Sequence, residues 1–219
     1  MDQGWSSVLL PRYHPSRDLI AAFATGELSA APALAVGLHI DVCAHCAGAV
    51  AAIEDAEGRL MESLEGSAIE PDALAAVLAR LDAGETQDTG HASAALGEVT
   101  LPAAITQVGL APRIDLGPDT WIAHLDTPRI DGWRTYVFCG PAMTALPSHG
   151  HHGDELIAVI EGAFSDGRDF KAGDFAENKA GFEHAMQVSP EGRMVCLIAS
   201  AGPIAWRAED RGIGALLDI

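Results

Sequence analysis

Residues 147–162 read PSHGHHGDELIAVIEG, and this stretch decides how the C-terminal half of the chain folds. Side chains two residues apart on a β-strand point to the same face, so His149 and His151 converge on one point. Glu155 is an even number of residues from both histidines, so its side chain is expected on the same face and can bring a carboxylate to that point. The stretch therefore predicts a metal-binding site built on short strands.

A second strand has to supply a fourth ligand, and the stretch KAGDFAENKAGFEHAMQV (171–188) offers His184. Three imidazoles and one carboxylate suit a divalent cation and commonly leave one coordination position open. A strand register shifted by one residue would put His152 in the place of His151, although parity favours the pair at 149 and 151. The alternative without a metal is a histidine-rich surface loop.

The pattern His-x-His-x3-Glu, followed by a distal histidine on short strands, resembles both motifs of the cupin fold. The resemblance implies a double-stranded β-helix, or jelly-roll, barrel whose metal ligands are His149, His151, Glu155 and His184. This donor set does not fix the metal, and we expect Zn²⁺ first, with Fe²⁺, Mn²⁺ or Ni²⁺ as alternatives. Short β-type runs punctuated by Gly, Pro and Asp have the spacing expected of an antiparallel sandwich or barrel. These runs lie at 121–125, 133–139, 155–162, 186–188 and 194–200.

The N-terminal part of the chain has the pattern of short helices instead. The segment SRDLIAAFATG (16–26) offers Ser16 as an N-cap and ends at a glycine, and APALAVGLHI (31–40) carries a proline in its first turn. Further on, PDALAAVLARLDAG (71–84) has apolar residues at the spacing of an amphipathic helix. That apolar stripe consists of Leu74, Val77, Leu78 and Leu81.

Residues 39–46 read HIDVCAHC and place four possible metal ligands within eight residues. Asp41 is the expected cap of a third helix that starts at about Val42, which would put Cys43 and Cys46 on one face of its first turn. His39 joins them from the end of the preceding helix. Thiolate sulfur and imidazole nitrogen suit Zn²⁺, which structural sites hold tetrahedrally with four ligands.

The fourth ligand of this cluster is predicted to be His14. His45 is a poor candidate because its position on the helix points it about 100° away from Cys46, and we expect it to face solvent. His14 precedes the first helix, and an antiparallel helical hairpin would bring it beside His39. A Cys-x-x-Cys redox pair with a nearby surface histidine is the alternative for this stretch.

The pattern of His14, twenty-four residues, and then His-x3-Cys-x2-Cys in a helical setting resembles the zinc-binding anti-sigma factors. Followed by a cupin domain, it resembles the ChrR-type anti-sigma factors over nearly the whole chain. The resemblance implies that the helical domain binds and inhibits an extracytoplasmic-function sigma factor. It also implies that the cupin domain adjusts release of the sigma factor in response to an oxidative signal such as singlet oxygen, or to a chemical one.

The expected fold class is thus α+β with two domains, a small all-α zinc-binding domain followed by a cupin barrel. We place the helical domain at 1–84, a Gly-, Ser- and Thr-rich linker at 85–98 and the barrel at 99–219. The competing class is an enzyme, a metal-dependent cupin dioxygenase or a related enzyme with an N-terminal helical dimerisation region. The anti-sigma resemblance favours a regulator that is not an enzyme.

Charge and hydropathy exclude other classes of function. The chain has 13 Lys and Arg against 31 Asp and Glu, a net charge of −18, so direct binding to nucleic acid is not expected. No apolar stretch approaches the roughly 20 residues of a membrane span, and the acidic N-terminus does not read as a signal peptide. We therefore expect a cytoplasmic protein.

Overall fold

The computed structural model describes residues 10–83 and 99–207, with helices first and strands after them. The helices are α1 (Arg17–Ala24), α2 (Ala30–Ile40), α3 (Ala44–Glu62), α4 (Ala73–Asp82) and α5 (Ala103–Val108). The strands are β1 (Ile114–Gly117), β2 (Thr120–His124), β3 (Trp133–Gly140), β4 (Ala145–His151), β5 (Glu155–Glu161), β6 (Ala163–Ser165), β7 (Asp169–Lys171), β8 (Phe175–Asn178), β9 (Glu183–Val188), β10 (Met194–Ala201) and β11 (Ile204–Trp206). The α+β fold class predicted from the sequence is confirmed.

The strands form two antiparallel sheets that enclose an apolar core. The six-stranded sheet has the order β1-β2-β3-β10-β5-β8, and the five-stranded sheet has the order β11-β4-β9-β6-β7. Side chains from both sheets meet between them, including Phe138, Ile157 and Met186. At the end of β5, Gly162 has φ +75°, and a Cβ there would lie 2.0 Å from the carbonyl oxygen of Arg193. This turn therefore requires glycine.

Both faces of the central strands β5 and β10 are buried, which explains the continuous apolar runs LIAVI (156–160) and MVCLIA (194–199) within them. On β5, Ile157 and Val159 point into the barrel, whereas Leu156 and Ala158 belong to a second core on the outer face of the sheet. β10 alternates in the same way between the two cores. An antiparallel sheet exposed on one face would instead alternate apolar with polar residues.

Helix α2 covers the outer face of the six-stranded sheet. Its residues Ala31, Ala35 and Val36 are 0 % exposed and share a core with residues of β3, β5 and β10. The two alanines allow the helix backbone to approach the strands closely. The helices and the barrel are therefore held together by one continuous apolar interior, in addition to any metal.

The helix boundaries differ from the sequence expectation at one decisive point. Ser16 caps α1 as predicted, since its hydroxyl accepts a hydrogen bond from the backbone N–H of Leu19. The predicted cap Asp41 is wrong, because Asp41 is the C-cap of α2 and Cys43 is the N-cap residue of α3. Asp41, Val42 and Cys43 separate the two helices, so the third begins two residues later than expected. The predicted linker at 85–98 lies outside the described residues.

The end of α3 and the whole of α4 are exposed. None of the residues of α4 is buried, and its apolar stripe is 50–71 % exposed. Within the described residues no single helix is long and apolar enough to cross a membrane. The pair of α2 and α3 would pass that test together by length and composition, but the two helices are bent by 119°.

Candidate metal centres

The four residues of the N-terminal cluster come from three separate elements. His14 lies in the extended segment before α1, His39 in the last turn of α2, and Cys43 and Cys46 at the start of α3. One ligand atom from each of the four lies within 4.8 Å of all the others. The three elements that carry these residues therefore converge on a space of the size of one metal ion.

The individual distances describe a compact set of donors. The Nδ1 atom of His14 lies 3.4 Å from the Sγ atoms of both Cys43 and Cys46. The Nε2 atom of His39 lies 3.3 Å from Nδ1 of His14 and 3.3 Å from Sγ of Cys46. His45 is exposed, as expected, with its ring centroid 5.3 Å from that of His14.

A backbone carbonyl of the barrel fixes the orientation of His39. The ring Nδ1–H donates to the carbonyl oxygen of Gly173 at 2.8 Å, which leaves the lone pair of Nε2 directed at the cluster. Such a partner on the distal nitrogen is typical of metal-binding histidines. Burial lowers the pKa of His39 to about 4, so its imidazole is neutral and available as a ligand at pH 7.

The thiols complete a donor set that fits Zn²⁺. Burial, together with the neighbouring thiol of Cys43, raises the pKa of Cys46 to about 12. The buried thiol of Cys46 is poorly suited to ionise alone, whereas a cation in the cluster would stabilise its thiolate directly. Two sulfurs and two imidazole nitrogens are the ligands of closed, structural zinc sites.

The second cluster lies inside the barrel, where β4, β5 and β9 meet. His149 and His151 are on β4, Glu155 begins β5, and His184 on β9 is paired with His149 in the strand register. All four are between 2 and 4 % exposed, and one ligand atom from each lies within 4.8 Å of the others. The structure brings together the four residues selected from the sequence, while His152 is exposed.

Ring nitrogens of this cluster lie close to one another and to the carboxylate of Glu155. The Nε2 atoms of His151 and His184 are 3.0 Å apart, and each lies 3.5 Å from Oε2 of Glu155. Burial lowers the pKa of His149 to about 4 and that of His151 to about 3, and burial raises the pKa of Glu155. Three imidazoles and one carboxylate that offer ligand atoms within 4.8 Å of one another form a donor set that fits a divalent metal.

A hydrogen-bond network behind this cluster was not found from the sequence. Nδ1 of His184 lies 3.4 Å from Asp166, whose carboxylate accepts from the Arg168 guanidinium at 2.6 and 3.1 Å. The same guanidinium donates to Oδ1 of Asn178 at 2.7 Å, and Nδ2 of Asn178 donates to Glu155 at 2.9 Å. Burial alone would raise the pKa of Asp166, but the hydrogen bonds from His184 and Arg168 lower it to about 2.

The space beside the cluster is small and mostly apolar. A cavity of about 20 Å³ lies against His149 and Glu155, which is room for little more than one water molecule. Its apolar lining includes Phe138, Met186 and Trp206. The thiols of Cys139 and Cys196 are buried in the strands, as expected, and burial raises the pKa of both.

The fold and the two clusters define a class: a helical zinc-finger-like region joined to a cupin-like barrel. A family model described as a zinc finger matches residues 16–47, and one described as the ChrR cupin-like domain matches residues 102–205. The anti-sigma-E factor ChrR of Cereibacter sphaeroides is 31% identical over 204 residues, which is 90% of this chain and 93% of that protein. The chain therefore belongs to the ChrR family of anti-sigma factors.

A solved structure leads to the same family. The chain resembles the anti-sigma ChrR in the crystal structure of Rhodobacter sphaeroides SigE bound to ChrR, with a TM-score of 0.71 and 29% identity. The similarity covers 87% of this chain and 100% of that one. Relatives that match both halves of the chain are thus regulators, and the dioxygenase alternative is not favoured.

Proposed function

We propose that this chain binds an extracytoplasmic-function sigma factor and inhibits it. The observation that carries the proposal is an uncovered apolar surface on the helical region. It is formed by the end of α3, the loop after it and α4, and we call it the apolar arm. Its members are Leu60, Met61, Leu64, Ile69, Leu74, Val77, Leu78 and Leu81, all at least 50 % exposed.

An exposed apolar surface of this extent is expected to have a partner. Helix α4 has ten residues and buries none of them, and an isolated helix of that length is marginal in water. A partner that covers the stripe would supply the tertiary contacts that the helix lacks in the chain alone. This is the mode in which an amphipathic helix lies in an apolar groove.

The charge of the apolar arm favours a basic partner. Residues 54–83 contain eight acidic and two basic residues. A sigma factor has to present basic surfaces to DNA, so an acidic binder would be attracted to it and would compete with nucleic acid. Direct binding of this chain to DNA or RNA is not expected for the same reason.

The N-terminal cluster is proposed to hold Zn²⁺ through His14, His39, Cys43 and Cys46. A metal bound there would supply a rigid tetrahedral junction. His14 and His39 would then tie the start of α1 and the end of α2 to α3, whose far end continues into the apolar arm. Loss of a thiolate by oxidation would release that junction and offers one route by which an oxidative signal could free the sigma factor.

The barrel cluster is proposed to bind a divalent metal through His149, His151, Glu155 and His184. We expect Zn²⁺ first, with Fe²⁺, Mn²⁺ and Ni²⁺ as alternatives. The helical domain is assigned to 1–84, the linker to 85–98 and the cupin domain to 99–219. A cytoplasmic location, where sigma factors meet RNA polymerase, follows from the proposed role.

Binding to a cognate sigma factor tests the proposal directly. The zinc-loaded chain is expected to form a stable complex in isothermal titration calorimetry and to inhibit promoter-dependent transcription. Leu74→Asp, on a side chain that is 67 % exposed, should disrupt binding. The matched control is Ile130→Asp on the barrel, where the side chain is 49 % exposed and binding should be unchanged. A zinc-loaded chain that binds no sigma factor would overturn the proposal.

A further inference from the structure

One short segment of the barrel contacts both candidate metal centres. It comprises residues 173–178, the turn before β8 and β8 itself, and we call it the coupling segment. At one end, the carbonyl oxygen of Gly173 accepts the hydrogen bond from Nδ1 of His39 at 2.8 Å. At the other end, Nδ2 of Asn178 donates to Oε2 of Glu155 at 2.9 Å. Six consecutive residues therefore reach a ligand of each cluster.

The middle of the coupling segment holds the chain on both sides of His14. Oδ1 of Asp174 accepts from the backbone N–H groups of Arg12 and Tyr13 at 2.5 and 3.1 Å. The N–H of Phe175 donates to the carbonyl oxygen of Tyr13 at 3.1 Å. Oε2 of Glu177 accepts from the N–H of Ser16 at 3.0 Å. Both histidines of the N-terminal cluster are thus positioned by the same segment.

Buried hydrogen bonds and continuous strand pairing hold the coupling segment in place. Asp174 and Asn178 are each 1 % exposed, so water cannot replace the hydrogen bonds that they make without opening the structure. β8 pairs with β5 in a continuous register, and Asn178 lies directly opposite Glu155. Gly173 has φ +89°, a conformation that few other residues adopt, and this geometry directs its carbonyl at His39. All four residues of β8 are thus paired with β5, from Asn178 opposite Glu155 to Phe175 opposite Ala158.

We propose that the coupling segment links the two metal sites energetically, with Asp174 and Asn178 as positioning residues. Metal bound in the barrel fixes Glu155 and, through Asn178 and β8, the residues that hold His14 and His39. Occupancy of the barrel site therefore strengthens metal binding at the N-terminal cluster. Linkage requires the reverse effect to have the same size. This inference rests on the two ligand sets of the proposed function and goes beyond them.

Cobalt titration of the full chain distinguishes the two sites. Only the N-terminal cluster contains cysteine, so thiolate-to-cobalt charge-transfer absorption reports that site alone. His184→Ala, which removes a barrel ligand, is expected to weaken Co²⁺ binding at the cysteine site by on the order of 10-fold. Asn178→Ala should do the same. The control is Gln187→Ala, an amide side chain on β9 that contacts neither cluster and should leave the titration unchanged.

The double variant decides whether the coupling runs through Asn178. If it does, Asn178→Ala combined with His184→Ala binds Co²⁺ no more weakly than either single variant. If the two substitutions instead weakened Co²⁺ binding independently, their fold-losses in affinity would multiply in the double variant. His184→Gln replaces His184→Ala if circular dichroism shows that the alanine variant does not fold.

Two results overturn the inference, and they are distinguishable. Wild-type protein that binds two metals per chain, with cysteine-site affinity unchanged by His184→Ala, would eliminate the coupling and leave the ligand sets intact. Wild-type protein that shows no thiolate charge-transfer band, or that binds a single metal, would eliminate the ligand sets and the coupling with them.

Discussion

Acidification of the metal-free protein is expected to remove much of its stability between pH 6.5 and pH 5. The cause is the burial of His39, His149 and His151, whose pKa values lie at about 4, 4 and 3 in the fold, against 6.5 for an ordinary histidine. In this pH range the unfolded chain binds protons on these imidazoles and the folded chain does not. Stability is therefore complete above pH 6.5 and is lost as the pH falls.

The size of the effect follows from these pKa values. Each of the three histidines contributes a loss of about 2 kcal/mol at pH 5, because its imidazole is almost fully protonated only in the unfolded chain. The sum is about 6 kcal/mol. Glu155 acts in the opposite direction, since burial raises its pKa and the folded state gains a proton there. One proton over 1.5 pH units offsets at most about 2 kcal/mol, which leaves a net loss of about 4–6 kcal/mol.

Such a loss is comparable to the whole stability of a domain, which is about 5–15 kcal/mol. The free energy of unfolding can be measured by urea denaturation after chelation, followed by tryptophan fluorescence, at pH 7, 6 and 5. His151→Gln removes one buried imidazole and should reduce the pH-dependent loss by about 2 kcal/mol. His152→Gln changes an exposed neighbour and should not alter it. A metal-free protein whose unfolding free energy changes by less than about 1 kcal/mol over this range would refute the reasoning.

Three further substitutions test separate parts of the molecule. Cys46→Ser should lower the metal content from two ions per chain to one, as measured by elemental analysis, because the N-terminal cluster loses a thiolate; two retained ions would contradict the assignment. Leu78→Ala should change the unfolding free energy by less than about 0.5 kcal/mol yet weaken sigma-factor binding by about 10-fold or more, measured by calorimetry. Arg168→Ala removes the guanidinium that holds the side chains of Asp166 and Asn178. A chelator competition should then show about 10- to 100-fold weaker metal binding in the barrel. Unchanged affinity would show that this network does not orient the ligands.

Local geometry predicts part of each set of candidate ligands, whereas His14 and His184 lie on distant segments and are indicated by the expected helical hairpin and by the resemblance to the cupin motifs. Strand parity alone places His149 and His151 together, and the helical position of His45 alone turns it away from Cys46. The wrong cap at Asp41 has a local cause as well. The chain needs an extended residue to reverse between two helices, and Cys43 takes that conformation with φ −116° and ψ 95°.

The network behind the barrel site could not be predicted in the same way. Asp166 and Arg168 lie in the turn between β6 and β7, and Asn178 ends β8. These strands are three or four residues long and have no strong apolar pattern. Their contacts with Glu155 and His184 depend on how distant strands pair, which a local pattern does not contain. The same holds for the carbonyl of Gly173, which reaches His39 across 134 residues of sequence.

The contrast between α2 and α4 shows which apolar surface remains for a partner. Both helices are rich in Ala, Leu and Val, but α2 carries no Asp, Glu, Lys or Arg, whereas α4 carries Arg80 and Asp82. A helix buried between other helices and a sheet has no room for solvated charges, while a helix that binds a partner along one stripe retains a polar side. The barrel accordingly covers α2 and leaves α4 free.

Because the barrel covers α2 and leaves α4 exposed, the N-terminal cluster lies between the barrel and the apolar arm. Among the described residues, the barrel is joined to the helices by the packing of α2 and by the hydrogen bonds of residues 173–177 to His39 and to the segment around His14. The apolar arm begins at the far end of α3, whose first turn carries Cys46. The packing of α2, the cluster ligands and the hydrogen bond from Ser16 at the start of α1 to Glu177 therefore connect the barrel to the helices that lead to the apolar arm. The four candidate ligands lie at the junction of the two regions, since the barrel holds His39 and the segment around His14, and Cys43 and Cys46 begin the helix that leads to the apolar arm.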